Sequence, residues 1–229
     1  MVEAVNRFRP GSQQRGEDTR RRILETAFEL FASDGFEGAS TRTLAERAGV
    51  NLPAIQYYFG SKEGLYRAVV EQITDRMEAR VAPLAEHIRV ELDAGQPPRR
   101  QLVAMLCDML DIVISLMFDE NAPDRDSQQK FFARIEVEPN AATDAMQDSM
   151  IRHVLRPCTA IIGRLLDRPP DDEQVKLRAM MIIGQAKIFC GWGTSRVLHW
   201  DTVSEARVRA VQTVIREHIE AIFRSVRSS

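Results

Sequence analysis

Residues 40–62 read STRTLAERAGVNLPAIQYYFGSK, two short helical segments around a sharp turn with another helix starting just behind. Ser40 or Thr41 can cap the first segment by offering a side-chain oxygen to backbone N–H groups that lack a partner in a first turn. Leu44, Ala45 and Ala48 supply its apolar stripe at helical spacing. Gly49 ends it, because glycine accepts the left-handed backbone that closes a helix. Asn51 can cap the second segment, and Pro53 falls in its first turn, where a missing N–H costs little. Ile55 and Phe59 face inward, leaving Gln56, Tyr57 and Lys62 free to face out. Two short helices around a glycine-containing turn make a helix-turn-helix, whose second helix enters the DNA major groove.

Upstream, residues 18–33 carry the stripe Ile23, Ala27 and Leu30, flanked by Leu24, Phe28 and Phe31, and Gly35 stops that helix. Before Ile23 stand Arg7, Arg9, Arg15, Arg20, Arg21 and Arg22 against Glu3, Glu17 and Asp18. Positive charge therefore gathers at the amino end, although the chain as a whole carries a formal charge of −2. For DNA binding the location of charge matters more than its total. Residues 1–16 contain Pro10, Gly11, Ser12 and Gly16 without periodicity and read as a flexible basic arm. Such an arm can reach along DNA or can be no more than a solvated terminus. Downstream, Ser61 can cap a fourth helix, with Glu63 suited to its positive end. Leu65, Val69, Ile73 and Met77 carry that helix to about Val81, and Pro83 is expected to break it.

The runs T-R-T-L-A-E-R-A-G-V, N-L-P-A-I-Q-Y-Y-F and G-S-K-E-G-L-Y resemble the DNA-binding domain of the TetR family of bacterial transcriptional regulators. Arg21-Arg22-Ile23-Leu24, followed by Ala27, Phe28, Leu30, Phe31 and Gly35, is similar to that family's first helix. The resemblance spans about residues 17–70. It implies a helix-turn-helix domain over 17–62, a connecting helix over 63–81 and an effector-binding and dimerisation domain over 82–229. Residues 134–200, including P-C-T-A-I-I-G-R-L-L and I-I-G-Q-A-K-I-F, look like the effector domain of the CecR-type subgroup.

On this reading the site chemistry is contact with phosphates, which position the protein, and with base edges, which specify sequence. Thr41, with Thr43 beside it, would offer a hydroxyl and helix-end N–H groups to a phosphate. Tyr58 and Lys62 match family positions that grip the backbone. Arg42 matches a position from which arginine reaches a base edge and pairs bidentately with guanine; alternatively it is a solvated charge. Asn51, Leu52, Pro53, Ala54, Gln56 and Tyr57 lie on or before the exposed face of the recognition helix. Gln56 can pair with adenine, whereas Leu52 and Ala54 can meet only thymine methyls or sugars. Tyr57, Tyr58 and Phe59 cannot all face inward from one helix, so at least one of them is exposed.

At 229 residues, with 44% apolar and 28% charged residues, the chain can bury a substantial core. The amino end lacks the apolar core of a signal peptide. The longest apolar run, residues 179–192, is interrupted by Gln185 and Lys187 and too short to span a bilayer. No membrane association and a cytoplasmic location are expected. Cys107, Cys158 and Cys190 are odd in number and far apart, so they form neither a disulfide framework nor a zinc motif and read as reduced core residues.

The remainder is helical by pattern, and the fold class is all-α. A short helix covers residues 84–94, and Pro97-Pro98 opens an apolar helix from Leu102 to Met117. Residues 121–126 form a loop, residues 127–136 a helix ended by Glu138-Pro139-Asn140, and residues 142–166 a long helix. Pro157 within that helix disfavours helical geometry in Arg156, so a kink or break is expected there. A helix runs from Asp171-Asp172-Glu173 to about Cys190, and the last covers residues 204–226.

The methionines at 105, 109, 117, 146, 150, 180 and 181 suggest a pliable apolar interior, suited either to a ligand or to filling core gaps. His153, Gln185 and Lys187 are polar residues in that setting, readable as ligand partners or as surface positions on amphipathic helices. The candidate effector residues are Met105, Met109, Phe132, Met150, His153, Gln185 and Phe189. The spacing offers no metal site, and no cofactor is expected. No clustered acid, base or nucleophile supports an enzyme: Asp108 and Asp111 are not paired at i, i+4, and Glu136 and Glu138 lie across a helix end. The expectation is a homodimer formed by the last two long helices, bound to double-stranded operator DNA and released by a small apolar or amphipathic effector. The rival expectation is a DNA-bound regulator whose larger domain docks on another protein.

Overall fold

The computed structural model describes residues 10–118, 125–137, 141–190, 197–200 and 203–225. Among them there is no strand, and the fold is all-α. Helix α1 covers Pro10–Gly38 and is broken by Gly35, whose φ of 75° only glycine adopts readily. It begins well before Asp18, so residues 10–16 are helical rather than part of an arm. Proline is favoured at a first helical position because its φ is already set and no donor is lost there. Residues 1–9 of the expected arm lie outside the described residues. Helices α2 (Thr41–Ala48) and α3 (Leu52–Phe59) follow, α1 packing on α2 and α2 on α3.

Helix α4 runs without interruption over Lys62–Ala94, through Pro83 and past the expected end near Val81. Val81, Ala85, Ile88 and Leu92 recur on one buried stripe across the proline. Pro83 and Ala79, four residues back, are both exposed, so water can satisfy the Ala79 carbonyl that the proline leaves without a donor. Continuous burial on one face outweighs one lost ladder bond on the other.

Helix α5 (Arg99–Met117) is the centre of the larger core, contacting the later helices α8 (Arg156–Leu166), α9 (Glu173–Lys187) and α10 (Glu205–Ser225). Between α5 and α8 in sequence come α6 (Arg125–Val137) and α7 (Ala141–Met150). The expected loop over 121–126, apart from its helical last two residues, and the helix end at 138–140 lie outside the described residues, as do Gly191 and Gly193.

Pro157 does not break its helix. A π-helical turn over Ile151–Leu155 joins α7 to α8, and the Arg156 N–H bonds five residues back to the Ile151 carbonyl. The extra residue shifts the ladder so that the proline falls in the first turn of α8, where it needs no donor. Arg156 accordingly keeps helical geometry, with φ −60° and ψ −48°.

The chain divides into two units, residues 1–71 with 126–142 and residues 72–125 with 143–229. Helix α6 thus groups with the amino-terminal unit, not with the domain expected over 82–229. Phe131 of α6 is buried and its ring lies 5.2 Å from that of Phe28 and 6.1 Å from that of Tyr66. Arg134 donates from Nε to the Ala32 carbonyl at 3.0 Å and from a terminal nitrogen to the Ser33 carbonyl at 2.7 Å. These carbonyls lie just before the Gly35 break in α1.

In the second unit Cys107 and Cys158 are buried, and burial pushes their thiols up to about 11 and about 12. Both are therefore thiols at neutral pH, without the nucleophilic thiolate. The Cys190 side chain lies outside the described residues.

Candidate nucleic-acid interface

The local chemistry of residues 40–64 holds α2 and α3 at both ends. Ser40 Oγ accepts from the Thr43 N–H at 3.0 Å, and the two hydroxyls lie 2.8 Å apart. Gly49 turns the chain with φ 62°, and the Val50 N–H returns to the Ala45 carbonyl. Asn51 Oδ1 accepts from the Ala54 N–H at 3.1 Å, and the Gly60 N–H closes α3 on the Gln56 carbonyl. The Ser61 hydroxyl then accepts from the Gly64 N–H and holds the Glu63 carboxyl below its ordinary range. A Cβ at Gly64 would lie 2.0 Å from the Phe59 carbonyl oxygen, so only glycine permits this close approach of α4 to the end of α3.

With both ends tied, α3 has one buried side chain, Ile55. Asn51, Leu52, Pro53, Gln56 and Tyr57 are exposed, Tyr57 to 83%. Ala54, Tyr58 and Phe59 are half-buried, so Phe59 is not the fully inward residue expected. The Arg20 guanidinium lies 5.4 Å from its ring centre, a contact the spacing of the sequence does not reveal. Tyr57 and Tyr58 meet edge to face at 5.1 Å. Arg42 is exposed and pairs with Glu46 at 3.0 Å. Thr41 is half-buried at the start of α2, and the Thr43 hydroxyl is engaged by Ser40.

Lys62 is not free. Its ammonium donates to the Glu37 carbonyl at 3.3 Å and lies 4.6 Å from the Phe36 ring centre. The arrangement is one short, doubly capped helix showing polar and aromatic groups to solvent, with an arginine and hydroxyls beside it. It can offer hydrogen bonds and apolar contacts to a groove.

The seven candidate effector residues do not converge. Met105 and Met109 are buried in the core, and Met150 and Phe189 are half-buried against it. Phe132 belongs to the amino-terminal unit. His153 Nε2 lies 3.7 Å from Glu78 Oε1, a carboxylate that also accepts from the Ser149 hydroxyl at 2.6 Å. The Gln185 side-chain oxygen is buried without a hydrogen-bond partner.

Surface clefts of about 300 Å³, including Asp111, Arg209 and Arg216, and about 420 Å³, including Gly163, Arg164 and Arg168, contain none of the seven. Met180 and Met181 are 62% and 71% exposed, not interior as expected. Among the described residues, no helix is long and apolar enough to cross a membrane, and no three His, Cys, Asp or Glu side chains gather to hold a metal.

Residues 23–69 match the family model described as bacterial regulatory proteins, tetR family. Residues 98–225 match that of the HTH-type transcriptional dual regulator CecR, C-terminal domain. The HTH-type transcriptional dual regulator CecR of Shigella flexneri is 26% identical over 220 residues, 95% of this chain and 96% of that protein. The HTH-type transcriptional regulator RutR of Escherichia coli K12 is 39% identical over 87 residues, only 34% of this chain and 41% of RutR. Among solved structures, a TetR-like transcriptional regulator from Rhodococcus sp. RHA1 shares the fold with TM-score 0.59 and 20% identity, over 91% of this chain and 97% of that one. The TetR family transcriptional regulator PfmR from Thermus thermophilus does so with TM-score 0.56 and 18% identity, over 90% and 99%.

Proposed function

Because this chain belongs to the TetR family of bacterial transcriptional regulators and carries the CecR C-terminal domain, we propose that it is a cytoplasmic, homodimeric repressor. In this reading it sits on a palindromic operator and is released by a small apolar or amphipathic ligand. The observation that carries it is the outward face of α3, where Asn51, Leu52, Gln56 and Tyr57 stand exposed on a helix capped at both ends. Arg42 and Gln56 read base edges, Leu52, Pro53 and Ala54 meet sugars or thymine methyls, and Thr41, Thr43, Tyr58 and Lys62 hold phosphates. A two-fold dimer sets two copies of α3 about one duplex turn, roughly 34 Å, apart.

The dimer surface is α9 with α10. Leu177 and Met181 on α9, and Ile188 in the 3-10 turn that follows it, stand exposed at helical spacing, and a Cβ at Gly184 between them would meet nothing within 4 Å. Val214 extends the exposed apolar surface on α10. The effector enters the second unit, where the orphaned Gln185 oxygen calls for a hydroxyl or N–H donor. It acts by binding one of two conformers more tightly, since equal affinity shifts nothing.

Selection of binding sites from random duplex DNA tests the reading. A palindromic consensus is expected, and no enrichment overturns it. A thermal-shift screen of lipophilic compounds tests the effector. Stabilisation accompanied by loss of operator binding is expected, and silence across the screen with DNA binding retained favours a protein partner for the larger unit.

A further inference from the structure

We propose that the amino-terminal turns of α1 form a second phosphate-binding edge beside α3, with Arg15 and Arg22 as its cations. The proposal rests on the DNA-binding reading of α3 and adds a contact outside the helix-turn-helix. Because α1 is helical from Pro10, Arg15 and Arg22 lie on one rigid element two turns apart. Seven residues rise about 10 Å, enough for two cations to take different phosphates instead of competing for one.

Their flank is defined by contacts. Gly16 lies on the stripe of the buried Ile23, and a Cβ at Gly16 would be 3.6 Å from the Tyr58 hydroxyl. Arg20, one turn on, covers the Phe59 ring. This side of α1 therefore abuts the end of α3 that carries the tyrosines. Arg15, Thr19 and Arg22 form the neighbouring row at i, i+4 and i+7.

Asp18, one turn from both Arg15 and Arg22, pairs instead with Arg21 at 3.1 Å, and Glu17 stands on the other flank. Arg15 and Arg22 are exposed and make no ion pair or side-chain hydrogen bond among the described residues. The next acid near their row is Glu25, one turn beyond Arg22. In a chain of net charge −2, two exposed guanidinium groups without a direct ion pair, on the helix beside the recognition helix, complement a phosphate backbone.

The test uses the full-length chain with Arg15→Gln and Arg22→Gln combined, since glutamine keeps helix propensity close to that of arginine. Binding to the selected operator is measured by fluorescence anisotropy across a salt series. The slope of log K against log salt should fall by about two, and affinity roughly thirtyfold at 0.15 M salt, equally for operator and unrelated duplex. The selected consensus should not change. Arg21→Gln is the control: its guanidinium is already paired with Asp18 and should leave the slope nearly unaltered.

An unchanged slope in the double variant overturns the proposal. So does an equal effect of Arg21→Gln, which would indicate a diffuse field. Failure of the unaltered protein to bind any duplex instead sinks the DNA-binding reading itself, and the proposal with it.

Discussion

Helices α3 and α9 both hold large apolar side chains in solvent, but in different patterns. On α3, Leu52 and Tyr57 stand apart, separated by polar Gln56 and preceded by the Asn51 cap. On α9, Leu177 and Met181 continue along one face to Ile188 just past its end, with Gly184 between them and Met180 beside. The opposite face of α9 is also apolar, with Val175, Ala179, Ile182 and Ala186 buried in the core. A helix apolar on two sides is ordinarily covered on two sides. Mixed exposure on a short capped helix suits a hydrated, hydrogen-bonding partner such as a DNA groove, whereas a continuous stripe suits another protein surface. Exposure alone does not distinguish these surfaces; the chemistry between the exposed positions does.

The most forceful way to break that distinction is Met181→Glu. A carboxylate on the proposed dimer surface should weaken association by roughly 3 kcal/mol, about a hundredfold. Sedimentation should then show monomer at micromolar concentration, with operator affinity falling in parallel. The protomer should fold normally because Met181 is 71% exposed within it. A dimer of unchanged strength would remove α9 from the interface.

Helix α6 sharpens the comparison from another side, since it groups with the unit of α3 although its neighbours in sequence belong to the unit of α9. Arg134→Ala removes two donors from the carbonyls of Ala32 and Ser33. The expected loss is about 2 kcal/mol, as for hydrogen bonds from a charged donor. Hydrogen exchange should accelerate around residues 32–38, with α9 amides unaffected. Uniform acceleration across both units would show that they unfold together and that α6 has no special attachment.

What could be read in the sequence divides along the same line. The caps at Ser40 and Asn51 and the turn at Gly49 were legible because each depends on residues within four positions. The buried stripes of α1 and α5 were legible because helical period alone reveals them. Pro83 and Pro157 misled because a proline's effect depends on the packing around it: one lies on an exposed flank, and the other follows a π-helical turn. The allegiance of α6 depends on long-range partners, Phe28 and the end of α1, which no local pattern encodes. Met180 and Met181 fit an apolar period equally well facing a core or facing solvent, so their exposure needed the fold. The scattering of the candidate effector residues has the same cause.

Within the α3 surface, Arg42→Ala should act on one base pair. Its present partner, Glu46, is an exposed i, i+4 pair, and such pairs contribute only about 0.3–0.5 kcal/mol. Arg42 can therefore leave it readily, and losing a bidentate guanine contact should cost about 1–3 kcal/mol of discrimination at that position. Binding to a panel of operator variants checks this. Undiminished preference at every position would assign Arg42 to the surface ion pair alone.

Lys62→Ala should have the smallest effect, and the structure explains why. The ammonium already serves the Glu37 carbonyl and the Phe36 ring, so a phosphate must share it or displace those contacts. Three N–H donors make sharing feasible. The variant should bind every duplex about fivefold more weakly at 0.15 M salt and lower the salt slope by about one, leaving the consensus intact. Thermal stability measured alongside separates the two roles: a lower melting temperature with an unchanged slope would make Lys62 a tie for the end of α1. A lower slope at nearly constant stability would place the same ammonium on the DNA backbone, its intramolecular contacts then serving to hold it ready near that surface.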